Sequence, residues 1–303
     1  MPERVDCLII GGGPAGLTAA IYLARFHLST VVMDDGCSRA LEIPCTNNHA
    51  GFPDGIPGKN LLDLMRAHAR RFDVSLISQR VQSVMSTEIG FRISGPEMMV
   101  EASSLLIATG VTNRRPAMDA ALHAEALARG RLRYCPVCDG YEVTDQNIAV
   151  IGSGPRGVNE CTFLRSYTNR VSLILAGPDG LSESERERLR TLEVRVLGGP
   201  PGDFELVKGG LALSIAGRRH RFEAVYPALG SVIHSELAVS LGAKVSEEGC
   251  LEVDRHQRTT ISGLYAAGDV VLGLDQISNA MGQAGVASTT IRNDLAARKL
   301  KLR

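Results

Sequence analysis

Two stretches of this chain repeat one pattern at a fixed spacing, and that repetition limits the fold more than any other feature. CLIIGGGPAG at 7–16 recurs as IAVIGSGPRG at 148–157, every matched glycine displaced by 141 residues. Gly11, Gly13 and Gly16 correspond to Gly152, Gly154 and Gly157, and Pro14 corresponds to Pro155. Each copy reads as an apolar strand, a glycine turn and a helical run, expected at 17–26 and 158–167. Second strands follow at 30–33 and 171–175. Strands alternating with helices imply parallel sheets joined by crossover helices. A length of 303 residues accommodates two such units.

The turn has a physical logic. Its first glycine allows the tight bend, its second lets the backbone approach a pyrophosphate, and its third brings helix and strand close together. The helix start then offers free N–H groups and a partial positive charge. The first copy adds Asp34, 18 residues beyond Gly16, where a carboxylate accepts ribose hydroxyls. The second copy ends its strand on Leu175, Ala176 and Gly177, with neither an acid for a plain ribose nor a cation for a phosphorylated one. Arg156, Arg186, Arg188 and Arg190 are the nearest basic candidates, although SESERERLR at 182–190 reads more simply as a solvated helix face.

Two later segments have the look of flavin or phosphate neighbours. LLIATG at 105–110 is a buried strand ending in a turn at Thr109 and Gly110. The segment at 264–291 is a strand, a Gly268-Asp269 turn and a long helix of small residues; Asp269 reads either as a helix cap or as a carboxylate on a ribityl or phosphate group.

The redox signal is YCPVCDGYE at 134–142. Two cysteines separated by two residues can bridge across one turn. At a helix start the local field favours a thiolate, and Asp139 places an acid or base beside Cys138. A zinc site needs a second close Cys or His pair, and Cys37 and Cys45, with seven residues between them, do not form one, so no metal is expected. Cys7, Cys161 and Cys250 read as small buried hydrophobes. Lys+Arg and Asp+Glu balance at 33 each, which offers no electrostatic footprint for nucleic acid or an anionic membrane. No run reaches the roughly 20 apolar residues of a membrane span, and the opening residues read straight into a strand, so a cytoplasmic location is expected.

Taken in order, the glycine turn, ATG, CxxCD, second glycine turn and AAGD resemble the low-molecular-weight thioredoxin reductase family over nearly the whole chain. The resemblance implies an α/β fold of two Rossmann-like dinucleotide-binding (three-layer ββα) domains, the second inserted into the first. A discontinuous FAD domain is expected at 1–114 and 234–303, and an NAD(P)H-type domain carrying the disulfide at 115–233. Gly11, Gly13, Pro14, Ala15, Gly16, Asp34, Asn48, Thr109, Gly110, Gly268, Asp269, Gln276 and Ile277 would hold FAD. Gly152, Gly154, Arg156 and Gly157 would form a second nucleotide site. Cys138 would face the flavin, Cys135 would attack a partner disulfide, and Asp139 would manage the proton.

The implied function is transfer of electrons from a reductant through FAD to Cys135–Cys138 and on to a thioredoxin-like protein or a small disulfide, by a homodimer. The family's basic cluster after the second strand is replaced by Leu175-Ala176-Gly177, and Asp275 stands where arginine usually precedes the flavin-side glutamine. The donor therefore stays open among NADPH, NADH and ferredoxin. Relatives that work as dithiol oxidases on small molecules with oxygen form the alternative, although those favour histidine where this chain has Asp139.

Overall fold

The computed structural model describes residues 4–177 and 180–298. The chain opens with β1 (Arg4–Ile10), α1 (Pro14–Arg25), β2 (Thr30–Asp34), α2 (Gly58–Arg70), β3 (Ser75–Ser78), β4 (Ser83–Thr87), β5 (Gly90–Ser94) and β6 (Met99–Ile107). It continues through β7 (Val111–Asn113), α3 (Ala120–Ala128), α4 (Pro136–Asp139), β8 (Ile148–Gly152), α5 (Gly154–Leu164), β9 (Val171–Leu175) and α6 (Glu183–Thr191). Then come β10 (Arg195–Leu197), β11 (Pro201–Val207), β12 (Gly210–Ile215), β13 (Arg218–Phe222), β14 (Ala224–Pro227), β15 (Ser231–Ile233), α7 (Glu236–Val239), β16 (Leu264–Ala266) and α8 (Ile277–Arg298).

Two compact units result. One comprises Met1–Glu42, Gly58–Thr112 and Ile233–Arg303; the other comprises Ile43–Pro57 and Asn113–Val232. The sequence alone places 43–57 in the first domain. Its hydrogen bonds run instead to the loop that carries the cysteines, which gathers it into the second unit.

In the first unit β3, β2, β1 and β6 lie parallel in that order, and β5 and β4 extend the sheet antiparallel. The C-terminal half of β6 pairs in parallel with β16. Alternate residues of the central strands feed two cores. Leu8, Ile10, Val31, Met33, Leu105 and Ile107 face one side, and Cys7, Ile9, Val32 and Leu106 face the other. Burial on both faces is what a parallel sheet requires, and explains why these strands read as continuous apolar runs. On the second side Ala15, Ala19, Ala20 and Leu23 of α1 meet Ala280, Ala284, Ala287 and Ile291 of α8. Small side chains let those helices approach closely enough for the Ser288 hydroxyl to lie 3.4 Å from the Ala19 carbonyl oxygen.

The second unit repeats the plan. β10, β9, β8 and β14 form a parallel sheet. Val158, Cys161, Leu164 and Leu189 from α5 and α6 cover one face. Ala126 and Leu127 of α3, with Leu211, Leu213 and Phe222 of the antiparallel layer β11–β12–β13, cover the other. Cys7 and Cys161 are buried as expected, whereas Cys250 is only half-buried. Among the described residues no helix is long and apolar enough to cross a membrane.

Both glycine-turn helices begin three or four residues earlier than the apolar periodicity suggests, at Pro14 and Gly154. Proline in the first turn is the reason, because its fixed φ is already helical and its missing N–H is not needed there. Gly16 sets the packing of α1: a Cβ there would come within 1.9 Å of the Gly11 carbonyl oxygen. Gly16→Ala is expected to lower stability in urea unfolding by about 3 kcal/mol, the upper range for an overpacked interior. Gly36→Ala, with no atom within 4 Å of the added carbon but a φ of +80°, is expected to lose only about 1 kcal/mol.

Candidate functional site

In the first unit three separated segments converge at the C-terminal ends of parallel strands. Gly11, after β1, adopts φ +108°, and a Cβ on it would lie 2.2 Å from the Ala108 carbonyl oxygen at the end of β6. A Cβ on Gly268, after β16, would lie 3.0 Å from that of Ala15. Gly11, Gly13, Pro14, Ala15, Gly16, Thr109, Gly110, Gly268 and Asp269 are thereby brought into one neighbourhood. Thr109 donates its hydroxyl to the His234 carbonyl at 2.5 Å, and the Gly268 N–H donates to Gln283 Oε1 at 2.8 Å. Gly13 caps α1 with no side-chain bond, so the helix start keeps backbone donors available.

Asp34 ends β2 beside this turn: a Cβ on Gly12 would lie 2.4 Å from Asp34 Oδ2. Arg66 of α2 reaches the same oxygen at 3.7 Å. Asp269 is no helix cap, because α8 begins at Ile277, after Gln276. Its carboxylate instead accepts from Arg39 at 3.2 Å, and the same guanidinium nitrogen meets Asp275 at 2.8 Å. Burial, reinforced by Asp275, pushes Asp269 up to about 6 against the opposing pull of Arg39. Arg39 escaped the sequence reading; an unexplained acid at 275 was its one trace.

The second unit holds the sulfur chemistry. Cys135 and Cys138 are bridged, with Cα atoms 5.2 Å apart. Cys135 caps the single turn α4, and its sulfur accepts the Cys138 N–H at 3.2 Å. Asp139 ends that turn. Its carboxylate pairs with Arg133 at 2.9 Å and accepts the Tyr226 hydroxyl at 2.9 Å. Burial raises the Asp139 carboxyl above its ordinary value, opposed by Arg133 and Tyr226. Asn48, grouped from sequence with the flavin side, donates to the Val137 carbonyl at 3.3 Å, between the two cysteines. Neighbouring Asn47 donates to Glu142 at 2.5 Å.

The second glycine turn bends differently from the first. Gly154 carries the positive φ, +55°, and Gly152 and Gly157 pack without it. Arg156 folds back over the backbone, so a Cβ on Gly230 would meet its guanidinium at 1.8 Å. Two arginines of α6 serve local contacts: Arg190 pairs with Glu183 and Glu187 at 2.5 and 2.8 Å, and Arg188 donates to Asn159 at 3.3 Å. β9 ends in a buried Leu175, followed by Ala176 and Gly177.

The family model for pyridine nucleotide-disulphide oxidoreductases matches residues 5–284. The chain belongs to that family. Among curated relatives of this oxidoreductase, a thioredoxin reductase of Streptomyces coelicolor is 31% identical over 294 residues, covering 89% of this chain and 87% of that one. One from Listeria innocua is 29% identical over 304 residues, covering 93% and 91%. The solved thioredoxin reductase of Streptococcus pyogenes superposes with a TM-score of 0.90 at 26% identity, covering 98% and 100%.

A further carboxylate in this oxidoreductase was missed from sequence. Glu160 lies on α5 beside the inward-facing Cys161, and its Oε1 is buried without a hydrogen-bond partner. Burial, then the Asp139 charge, push it from 4.5 up to about 7, with Arg156 opposing. The folded chain therefore keeps a proton on Glu160 that the unfolded chain releases at lower pH. Stability from this group is full below about 4.5 and is lost as pH rises through about 7. Glu160→Gln is expected to stabilise the protein at about pH 8 relative to about pH 4, by up to about 3 kcal/mol at about 1.4 kcal/mol per pH unit. Urea unfolding at the two pH values checks the sign.

Proposed function

We propose that this chain is an FAD-dependent disulfide reductase of thioredoxin-reductase type, taking electrons from a pyridine nucleotide and delivering them to a thioredoxin-like protein disulfide. The observation that carries the reading is the Cys135–Cys138 bridge with Asp139 fixed beside it, on a chain that repeats the dinucleotide turn. A cytoplasmic homodimer and the FAD and NAD(P)H-type domains expected from sequence belong to the same reading.

The first unit fits FAD. The glycine cradle leaves no space for a Cβ at Gly11, Gly12 or Gly16, which suits close approach of a pyrophosphate to bare backbone. Uncapped N–H groups at the start of α1 would meet phosphate oxygens. Asp34 would accept the adenosine ribose hydroxyls, and Asp269, Gln276 and Ile277 would line the ribityl and ring end. Bound there, FAD supplies a two-electron carrier between nucleotide and disulfide.

The protein's own work is sulfur exchange. The Cys135 sulfur, with the Cys138 N–H directed at it, carries negative charge more readily and attacks the partner disulfide. Cys138 then closes on Cys135 and releases the partner. Asp139, held by Arg133 and Tyr226, keeps a carboxyl within reach of the protons that this exchange moves. For the donor, Gly154, Arg156 and Gly157 offer a turn for a pyrophosphate, while Leu175, Ala176 and Gly177, the described residues at the end of β9, carry no cation for a 2′-phosphate.

Anaerobic mixing with NADPH or NADH is expected to bleach the flavin of the purified protein. The two should be used with efficiencies within about tenfold of each other, because a charge-assisted phosphate contact worth about 1.5–3 kcal/mol is missing. Cys135→Ser is expected to leave that bleaching intact while thioredoxin reduction falls below about a thousandth of wild type. If both nucleotides fail and small dithiols bleach the flavin instead, the chain is a dithiol oxidase.

A further inference from the structure

Asp139 and Glu160 lie on two elements that pack against each other. α4, which ends in Asp139, packs against α5, which carries Glu160. The contact is tight: a Cβ on Gly140 would come within 2.7 Å of the Tyr167 ring, just beyond α5. Asp139 has two fixed partners, the Arg133 guanidinium and the Tyr226 hydroxyl. Glu160 Oε1 has none. The other charged groups that act on the pair are Arg156, one turn earlier on α5, and Glu142, which follows the redox turn and is tied to Asn47. Two carboxylates thus sit within electrostatic reach in a largely water-free layer, one with donors satisfied and one without.

We propose that Glu160 is a positioning residue for the thiol–disulfide exchange, keeping a proton of its own in the layer that covers the redox turn and so tuning the charge on Asp139, which handles the exchanging protons, without touching either sulfur. The proposal rests on the reductase reading above. The asymmetry of partners assigns the roles. Arg133 and Tyr226 stabilise charge on Asp139, so the proton of the pair resides on Glu160. Burial gives Glu160 a titration near neutrality, up to about 7, where its own proton tunes the charge on Asp139.

The exchange balances without any outside oxidant. The Cys135 thiolate bonds to one partner sulfur, the partner S–S bond breaks, and the departing thiolate takes a proton. The Cys138 thiol then loses its proton, its sulfur bonds to Cys135, the mixed disulfide breaks, and the second partner thiolate is protonated. Two protons leave the protein's two thiols and two arrive on the partner's. Asp139 handles these protons while Glu160 keeps its own, so the state of Glu160 is unchanged over the cycle.

The test uses the holoenzyme, reduced with excess dithiothreitol, desalted anaerobically and mixed with dipyridyl disulfide across the range from about pH 5 to about pH 9. In wild type the exchange rate should show an inflection near 7, the value to which Glu160 is pushed. In Glu160→Gln that inflection should vanish and the rate near neutrality should fall about tenfold, less than the loss of a group transferring the proton directly. Glu160→Asp should restore the inflection. Infrared spectra of the wild type should show a protonated-carboxyl band that titrates near the same pH and shifts when the disulfide is reduced, a readout that holds even if a variant folds poorly. An exchanging wild type whose pH profile is unchanged in Glu160→Gln, or that lacks the infrared band, overturns this proposal alone. A reduced wild type that does not exchange at all overturns the proposed function and this proposal together.

Discussion

The close approach of Gly16 to the Gly11 carbonyl is the constraint from which the first unit follows. It presses the first turn of α1 onto the end of β1 so closely that no side chain fits at Gly16, and it leaves that turn open at the C-terminal ends of the parallel strands. The same edge then receives the strand ends after β6 and β16. With helix and strand locked at that distance, the small residues of α8 can close over α1, and one face of the sheet is sealed. The second unit reuses the plan with a looser turn, in which the positive φ moves to Gly154.

Buried carboxylates give the two units their chemical character. Asp269 and Asp139 are each held by an arginine at hydrogen-bonding distance, and each remains raised because burial outweighs the arginine. A buried charge deprived of its partner is strongly destabilising, so Arg39 and Arg133 are structural necessities as well as electrostatic ones. Asp275 illustrates the point. An acid there would repel Asp269, and Arg39 lies between the two, bonded to both.

Much of the fold was legible because parallel strands buried on both faces leave long apolar runs, and the glycine turns punctuate them. The repetition at 141 residues announced two units of one plan. The cysteine pair and the acid after it were legible because they are neighbours in the chain. What escaped lay far apart in sequence. Tyr226 reaches Asp139 across 87 residues and Arg39 reaches Asp269 across 230, and no local pattern announces either. Glu160 was hidden differently: an acid at the edge of an amphipathic helix looks solvated until a neighbouring turn covers it. Asn48 was misplaced because a motif of short polar residues does not say which unit it will join.

That misplaced segment changes what the middle of the chain is. Residues 43–57 form a strap closed on itself, Thr46 and Ile56 exchanging backbone hydrogen bonds at 2.9 and 3.1 Å. From it Asn47 and Asn48 grip the loop around the cysteines. The second unit is thus a guest that carries off a piece of its host. Excised as the contiguous stretch Asn113–Val232, it would retain both sulfurs and lose the two amides that steady them. The boundary that matters for the redox loop is therefore written about ninety residues upstream of it, in chain that a linear parsing assigns to another body.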